Sequence, residues 1–345
     1  MYGFPTVVKV KYRVLCCNFC GCTATEKINF KADGFNGSKR LEKVVIDEQE
    51  LLGSIKDTAS RYNLGWDTCK DIHKRYLQKT ISFNLENAKI LAIDEFSIKR
   101  GHKYATVVVD LETKRVIWVG EGKSISQAHE FFRLCGDEGC KQIEAVAMVQ
   151  NAGFATCVKK HCPKALVVYD LFHIIYNYGR LVISAIRIRL SSDKKIKDDK
   201  DGYSLLKNSR FLLLTRNSRL SAERKTKLDN LIDYYHDLYA ANELKELLPD
   251  VFNTCSKDEA ERLWNEWYEL AISSKVEEIT RFAENQNKRY RDCITNSGIY
   301  RIRTSVLEGI NNKIKVLKRI AFGFRDFEYF FLRIKSAFKG KALTV

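Results

Sequence analysis

Asn87-Ala-Lys-Ile-Leu-Ala-Ile-Asp-Glu-Phe96 decides how the rest of this chain is read. Ile90 to Ile93 is a short apolar run closing on Asp94, the pattern of a strand that ends in a carboxylate. Ile90 and Ala92 share the face of Asp94 by the two-residue period of a strand, so this carboxylate is expected among core residues, where an unpaired charge is costly. One reading gives Asp94 a metal ion or a hydrogen-bonding partner. The other makes it, with Glu95 beside it, an aspartate that merely ends the strand.

Downstream, Tyr104 to Val109 is a β-branched run ending in Asp110, and Leu111-Glu-Thr-Lys114 turns it into a third strand, Val116 to Val119. Ser124 to Leu134 reads as a helix, Ile143 to Met148 as a fourth strand, Ala152 to His161 as a helix stopped by Pro163, and Ala165 to Tyr169 as a fifth strand followed by helix from Phe172. An antiparallel meander followed by right-handed crossovers gives an α/β domain whose mixed sheet has three antiparallel strands plus two parallel ones. That is the order of an RNase H-like domain. In it the first and fourth strands are parallel neighbours, which puts Asp94 beside whatever ends the fourth strand.

The flanking segments lack strand character. Residues 181–297 are rich in Leu, Lys, Glu and Arg and read as an all-helical insertion, with Trp264 and Trp267 at i, i+3 and an exposed charged loop from Asp193 to Asp201. The core is therefore expected in two pieces, 85–180 and 298–345. Within the second, Leu307, Ile310, Ile314 and Leu317 form the apolar stripe of a helix, and Glu308, Asn312, Lys315 and Arg319 share a neighbouring polar face. Such a face is either a solvated Glu/Lys surface or a carboxylate ligand followed by a row that holds a phosphate backbone. Upstream, residues 47–84 read as a helix-turn-helix. Leu51, Leu52, Ile55, Ala59, Tyr62 and Leu64 line one helix, and after Gly65 Trp66, Cys69, Ile72 and Tyr76 line the next, whose Lys70, His73, Lys74 and Arg75 offer phosphate contacts. Residues 1–46 carry Cys17-Asn-Phe-Cys20 between Cys16 and Cys22. This knuckle suits zinc but supplies half of a four-ligand set, so zinc and free thiols both stay open.

Fifty-nine Lys and Arg against 43 Asp and Glu leave a net charge of +16 on a chain that is 45% hydrophobic. That is a folded protein with a polyanionic partner rather than a basic tail. No apolar run approaches the roughly 20 residues of a membrane span. The first residues lack a signal-peptide pattern, and eleven cysteines are then expected as thiols of a reducing cytoplasm.

Three blocks together resemble the ISL3 family of insertion-sequence transposases. They are Ala92-Ile-Asp-Glu-Phe-Ser97 with Lys99-Arg-Gly-His-Lys-Tyr-Ala-Thr-Val-Val-Val-Asp110, Pro163-Lys-Ala-Leu-Val-Val-Tyr-Asp-Leu-Phe-His173, and Leu307-Glu-Gly-Ile-Asn-Asn-Lys-Ile-Lys-Val-Leu-Lys-Arg-Ile-Ala-Phe-Gly-Phe-Arg325. The segment from Tyr12 to Gly21 is similar to the second half of that family's zinc finger, and the likeness extends to near Ile334. The resemblance implies a DDE-type DNA transposase of the bacterial cytoplasm, associated with the nucleoid, acting as a homodimer on double-stranded transposon ends and target DNA. Asp94 takes the place of the first metal-binding carboxylate and Glu308 that of the third, and Asp170 with His173 matches an Asp-x-x-His element after the fifth strand. Converging carboxylates would hold two Mg²⁺ (or Mn²⁺) ions, one activating water or a DNA 3′-hydroxyl and the other stabilising the leaving oxygen. Two departures stand out. The second aspartate, expected directly after the fourth strand, is Val149, which predicts weak or absent cleavage and keeps open an inactive DNA-binding remnant that represses its parent element. The first half of the zinc finger is also missing, which predicts an N-terminally shortened chain with impaired end recognition. A structure-specific nuclease on the same sheet is a third reading.

Overall fold

The structure, a computed structural model, describes residues 7–51, 53–99, 101, 103–301 and 305–340. Leu52 of the expected apolar stripe and Arg100 and His102 of the first family block lie outside the described residues.

A two-stranded antiparallel hairpin, β1 (Val14–Cys16) and β2 (Thr23–Thr25), comes first. Helix α1 (Lys39–Glu50) follows, capped by the Ser38 hydroxyl on the Leu41 amide. It crosses the boundary expected at 46/47, because Leu41 and Val45 already belong to the apolar face that packs against α2 (Ile55–Tyr62) and α3 (Trp66–Thr80). Asn63 closes α2 in the left-handed conformation (φ 50°) that turns the chain into α3.

The central sheet has the order β5-β4-β3-β6-β7, built from β3 (Ile90–Lys99), β4 (Lys103–Asp110), β5 (Arg115–Glu121), β6 (Ala145–Met148) and β7 (Leu166–Tyr169). β3 pairs antiparallel with β4 and parallel with β6, and β6 pairs parallel with β7. Asp94 does not end β3. The strand runs on to Lys99 along β4, and what ends at Ile93↔Met148 is the pairing with β6. Period-two alternation sends Leu91, Ile93, Val146 and Met148 to one core, and Ala92, Phe96, Val107 and Ala147 to the other.

The first face is covered by α4 (Ile125–Gln142) and α5 (Ala152–His161). The expected end of α4 at Leu134 is overrun. Gly136 (φ 66°) breaks the helix, a conformation open to glycine, and the chain resumes helix to Gln142. After α6 (Leu171–Tyr178) a π-helical turn, Gly179–Ile183, leads into α7 (Ser184–Ser192). The insertion continues with α8 (Lys194–Asp198), α9 (Lys200–Leu206), α10 (Arg210–Leu214), α11 (Ala222–Tyr234), α12 (His236–Phe252), α13 (Lys257–Ser273) and α14 (Glu277–Thr295). Its core holds Trp264 and Trp267 stacked at 5.0 Å. The stretch Asp193 to Asp201 is not a loop, because Asp193 and Asp199 cap α8 and α9 with their carboxylates.

The second face is covered by α15 (Ser305–Ile320), through Leu307, Ile310, Ile314 and Leu317, and by α16 (Phe327–Ala337). α16 also clasps the N-terminal helices. Buried His73 meets the Tyr329 hydroxyl at 2.8 Å and Glu50 at 3.1 Å, and Arg333 donates to Gln49. Among the described residues no helix is long and apolar enough to cross a membrane.

Candidate active site

The strand register brings the expected residues level with one another. Ile93, Met148 and Tyr169 are partners across β3, β6 and β7, and the Asp170 amide still donates to the Met148 carbonyl. The residues that follow are Asp94, still within β3, and Val149 and Asp170, just past the ends of β6 and β7. Strands lie about 4.8 Å apart, so the outer two backbones are about 10 Å apart with valine between them.

Asp94 is 9% exposed and stands on the face covered by α15. One carboxylate oxygen accepts from the Glu95 amide at 2.8 Å and the other from the Asn311 side-chain amide of α15 at 2.7 Å. Glu308 precedes Asn311 by three residues on the same helix. Side chains at that spacing are neighbours, about 5–6 Å between Cβ atoms. Glu308 is therefore one turn from the side chain that touches Asp94, and it is exposed.

Asp170 is 7% exposed and caps α6 through a 2.7 Å bond from the Phe172 amide. Burial raises its carboxyl above the usual range against that hydrogen bond, and the charge of Asp94 adds to the rise. His173 lies with Nε2 3.9 Å from Asp170, near but not hydrogen-bonded. Glu95 points to the opposite face of β3, where burial raises its carboxyl too.

The donor set accommodates a hard cation in part. Asp94, Asp170 and Glu308 offer carboxylate oxygens, and the carbonyl oxygen of Asn311 is buried without a hydrogen-bond partner beside Asp94. Position 149 offers no side-chain oxygen, so a second cation there would lack the carboxylate ligand an aspartate supplies.

The basic residues divide into two groups. Asn312, Lys315 and Arg319 are exposed on the polar face of α15, as their spacing implies, with Lys315 bonded to Asn312 at 3.3 Å. On α3 the side chains are already engaged. Lys74 pairs with Asp326 and Glu328, Arg75 donates to the Asp33 carbonyl, and Lys70 lies 3.5–3.7 Å from Asp71 and Asp67. His73 is sealed inside the clasp with α16 rather than offered to a phosphate. In the N-terminal hairpin Cys17 and Cys20 are exposed, and a hydrogen bond from the Cys22 backbone holds the Cys20 thiol below its usual range. Among the described residues these thiols do not close into a set of three within 4.8 Å.

Sequence reasoning missed Asn311, although its position three residues after Glu308 was a signal for the same helix face. It also missed a cleft of about 420 Å³ beside Val149, lined by Gln150, Arg180, Arg281, Arg289 and Tyr290. Gln150 closes one wall through Gln286 and Asn177. Three guanidinium groups gathered beside the strand ends suit a phosphodiester backbone.

The chain was compared with known proteins. The family profile of the ISL3-type DDE group, described as Transposase, matches residues 91–334. Over 345 residues the chain is 34% identical to the Transposase for insertion sequence element IS1001 of Bordetella parapertussis, covering 99% of this chain and 84% of that protein. It is 28% identical over 258 residues to the Transposase for insertion sequence element IS1557 of Mycobacterium tuberculosis (strain CDC 1551 / Oshkosh), covering 70% of this chain and 58% of that relative.

Proposed function

The chain belongs to the ISL3-type transposase family, and from that premise we propose that it binds insertion-sequence ends while its DNA cleavage and strand transfer are attenuated at Val149. Transposases act on DNA, and members of the DDE group generally employ divalent metal ions. In this proposal the domain is RNase H-like, and Asp94 and Glu308 hold Mg²⁺ or Mn²⁺. When bound, such an ion would supply charge neutralisation at the phosphorus centre and activation of the attacking hydroxyl. The bond from Asn311 to Asp94 carries the reading, because it supports bringing the helix that bears Glu308 against the first-strand carboxylate.

The protein's own residues account for the remaining roles. Asn312, Lys315 and Arg319 hold the phosphate backbone along α15, and Asp170 with His173 shapes the far wall. Lys70, Lys74 and Arg75 contact DNA through the helix-turn-helix by exchanging their internal carboxylate and carbonyl partners for phosphate. A homodimer that pairs two ends belongs to the same proposal.

Val149 also favours a second reading, a DNA-binding protein that occupies the ends of its parent element without cutting them. End binding and cleavage measured on one preparation separate the two. The proposal expects end binding with weak nicking in Mg²⁺ or Mn²⁺, and nicking restored by Val149→Asp. Binding with no cleavage by either protein selects the second reading. Strong nicking by the natural chain, unchanged in Val149→Asp, overturns the assignment of the fourth strand.

A further inference from the structure

We propose that His129, Cys157 and His161 bind a zinc ion that pins α4 to α5. Cys157 and His161 are i, i+4 on α5 and so share one face of that helix, and His129 comes from α4, which packs against it. His129 Nδ1 lies 2.9 Å from His161 Nε2 and 3.4 Å from Cys157 Sγ, and all three atoms lie within 4.8 Å of one another. Around a tetrahedral zinc with Zn–N of about 2.0–2.1 Å and Zn–S of about 2.3 Å, neighbouring ligand atoms are about 3.3–3.6 Å apart. The two separations from His129 lie within about 0.5 Å of those values.

Hydrogen bonding within the triad leaves it under-satisfied. A single Nδ1 carries either a proton or a lone pair, so His129 cannot donate to His161 and accept from the thiol together. A cation takes a lone pair from all three. Two imidazoles and a thiolate form a borderline-soft set that selects zinc over magnesium or calcium. Phe132 stacks on the His161 ring at 5.6 Å and 15°, fixing its orientation.

Burial lowers the proton affinity of His161, and the neighbouring His129 lowers it further, which favours the neutral ligand form. Burial also pushes the Cys157 thiol up to about 11, so metal binding must displace its proton to solvent: Zn²⁺ plus the thiol gives the zinc thiolate and H⁺. Cys157 is buried while both imidazoles are partly exposed, which leaves a path for the ion and a fourth position for water. The site does not depend on the carboxylates. A ten-residue helix is about 15 Å long, and His161 ends the helix whose other end adjoins Val149.

The test uses the full chain carrying Cys17→Ser and Cys20→Ser, freed of metal by a chelator and titrated with Co²⁺ alone. The proposal expects one Co²⁺ per chain with a thiolate-to-cobalt charge-transfer band. Cys157→Ser abolishes that band, and His129→Asn weakens binding by at least about 100-fold, the upper end of what outer-shell changes alone cost. A folded protein without the band, or a band that survives Cys157→Ser, overturns the proposal. If Cys157→Ser does not fold, the half-exposed His129→Asn decides, and unchanged affinity overturns it.

Discussion

At its N-terminus α5 leaves the sheet beside Asp94 and Asp170, and at its C-terminus it carries Cys157 and His161 against His129. At the first end, Asp94 and Asp170 follow the paired ends of β3, β6 and β7, and the return of α15 brings Asn311 against Asp94. The second gathers nitrogen and sulfur from two helices adjacent in the chain. Hard donors held by long-range topology suit chemistry on phosphate, and softer donors held locally suit a structural staple. On the proposed reading, the valine at position 149 weakens the first end and does not touch the second.

Restoring the missing oxygen tests that contrast most strongly. Val149→Asp is expected to raise end cleavage in Mg²⁺ by about two orders of magnitude or more, since a metal contributes several kcal/mol of transition-state stabilisation and each 1.36 kcal/mol is tenfold. Adding Asp94→Asn to that variant removes the gain while end binding persists. A gel-based nicking assay beside a mobility-shift assay reads both.

Metal withdrawal should separate the ends by kind of effect. Removing Mg²⁺ abolishes cleavage by Val149→Asp and leaves the thermal midpoint unchanged, whereas removing zinc lowers the midpoint by at least about 2 °C. Calorimetry that shows the reverse pattern breaks the comparison.

Smaller effects probe the carboxylate end alone. Asn311→Ala removes the hydrogen bond to the buried Asp94 carboxylate and should destabilise the chain by about 1–3 kcal/mol, measured by denaturant unfolding. Asp170 acts in the opposite sense. Its folded pKa is raised above the usual 3.8, mainly by burial, so the folded state binds the proton more tightly than the unfolded one. Its contribution is fully present below 3.8 and is lost as pH rises through the folded value. Asp170→Asn keeps a good helix cap and should raise the thermal midpoint at pH 7, with the difference vanishing below 3.8. A lowered midpoint at pH 7 would show that the charged form is stabilised there.

Much of this was legible in the residues. The period-two run through Ile93, the crossover order and the stripe Leu307, Ile310, Ile314 and Leu317 recover the sheet and α15, because burial on alternating faces writes itself into local pattern. The length of β3 was not legible, since Asp94 looks like a terminus when only the apolar run is visible, whereas pairing with β4 carries the strand on to Lys99. Nor was the engagement of Lys74, because its partners Asp326 and Glu328 lie more than 250 residues away, or that of Arg75 with the Asp33 carbonyl. The His129 triad was missed for a related reason. Cys157 and His161 have ligand spacing on one helix, but their partner becomes visible only when α4 packs on α5.

Crystals of the natural chain and of Val149→Asp grown in Mn²⁺ test the central claim most directly. The account predicts anomalous density between Asp94 and Glu308 in both, with a second peak beside position 149 in the variant alone. Density absent from that space in both crystals, with the two carboxylates turned to separate surroundings, contradicts it.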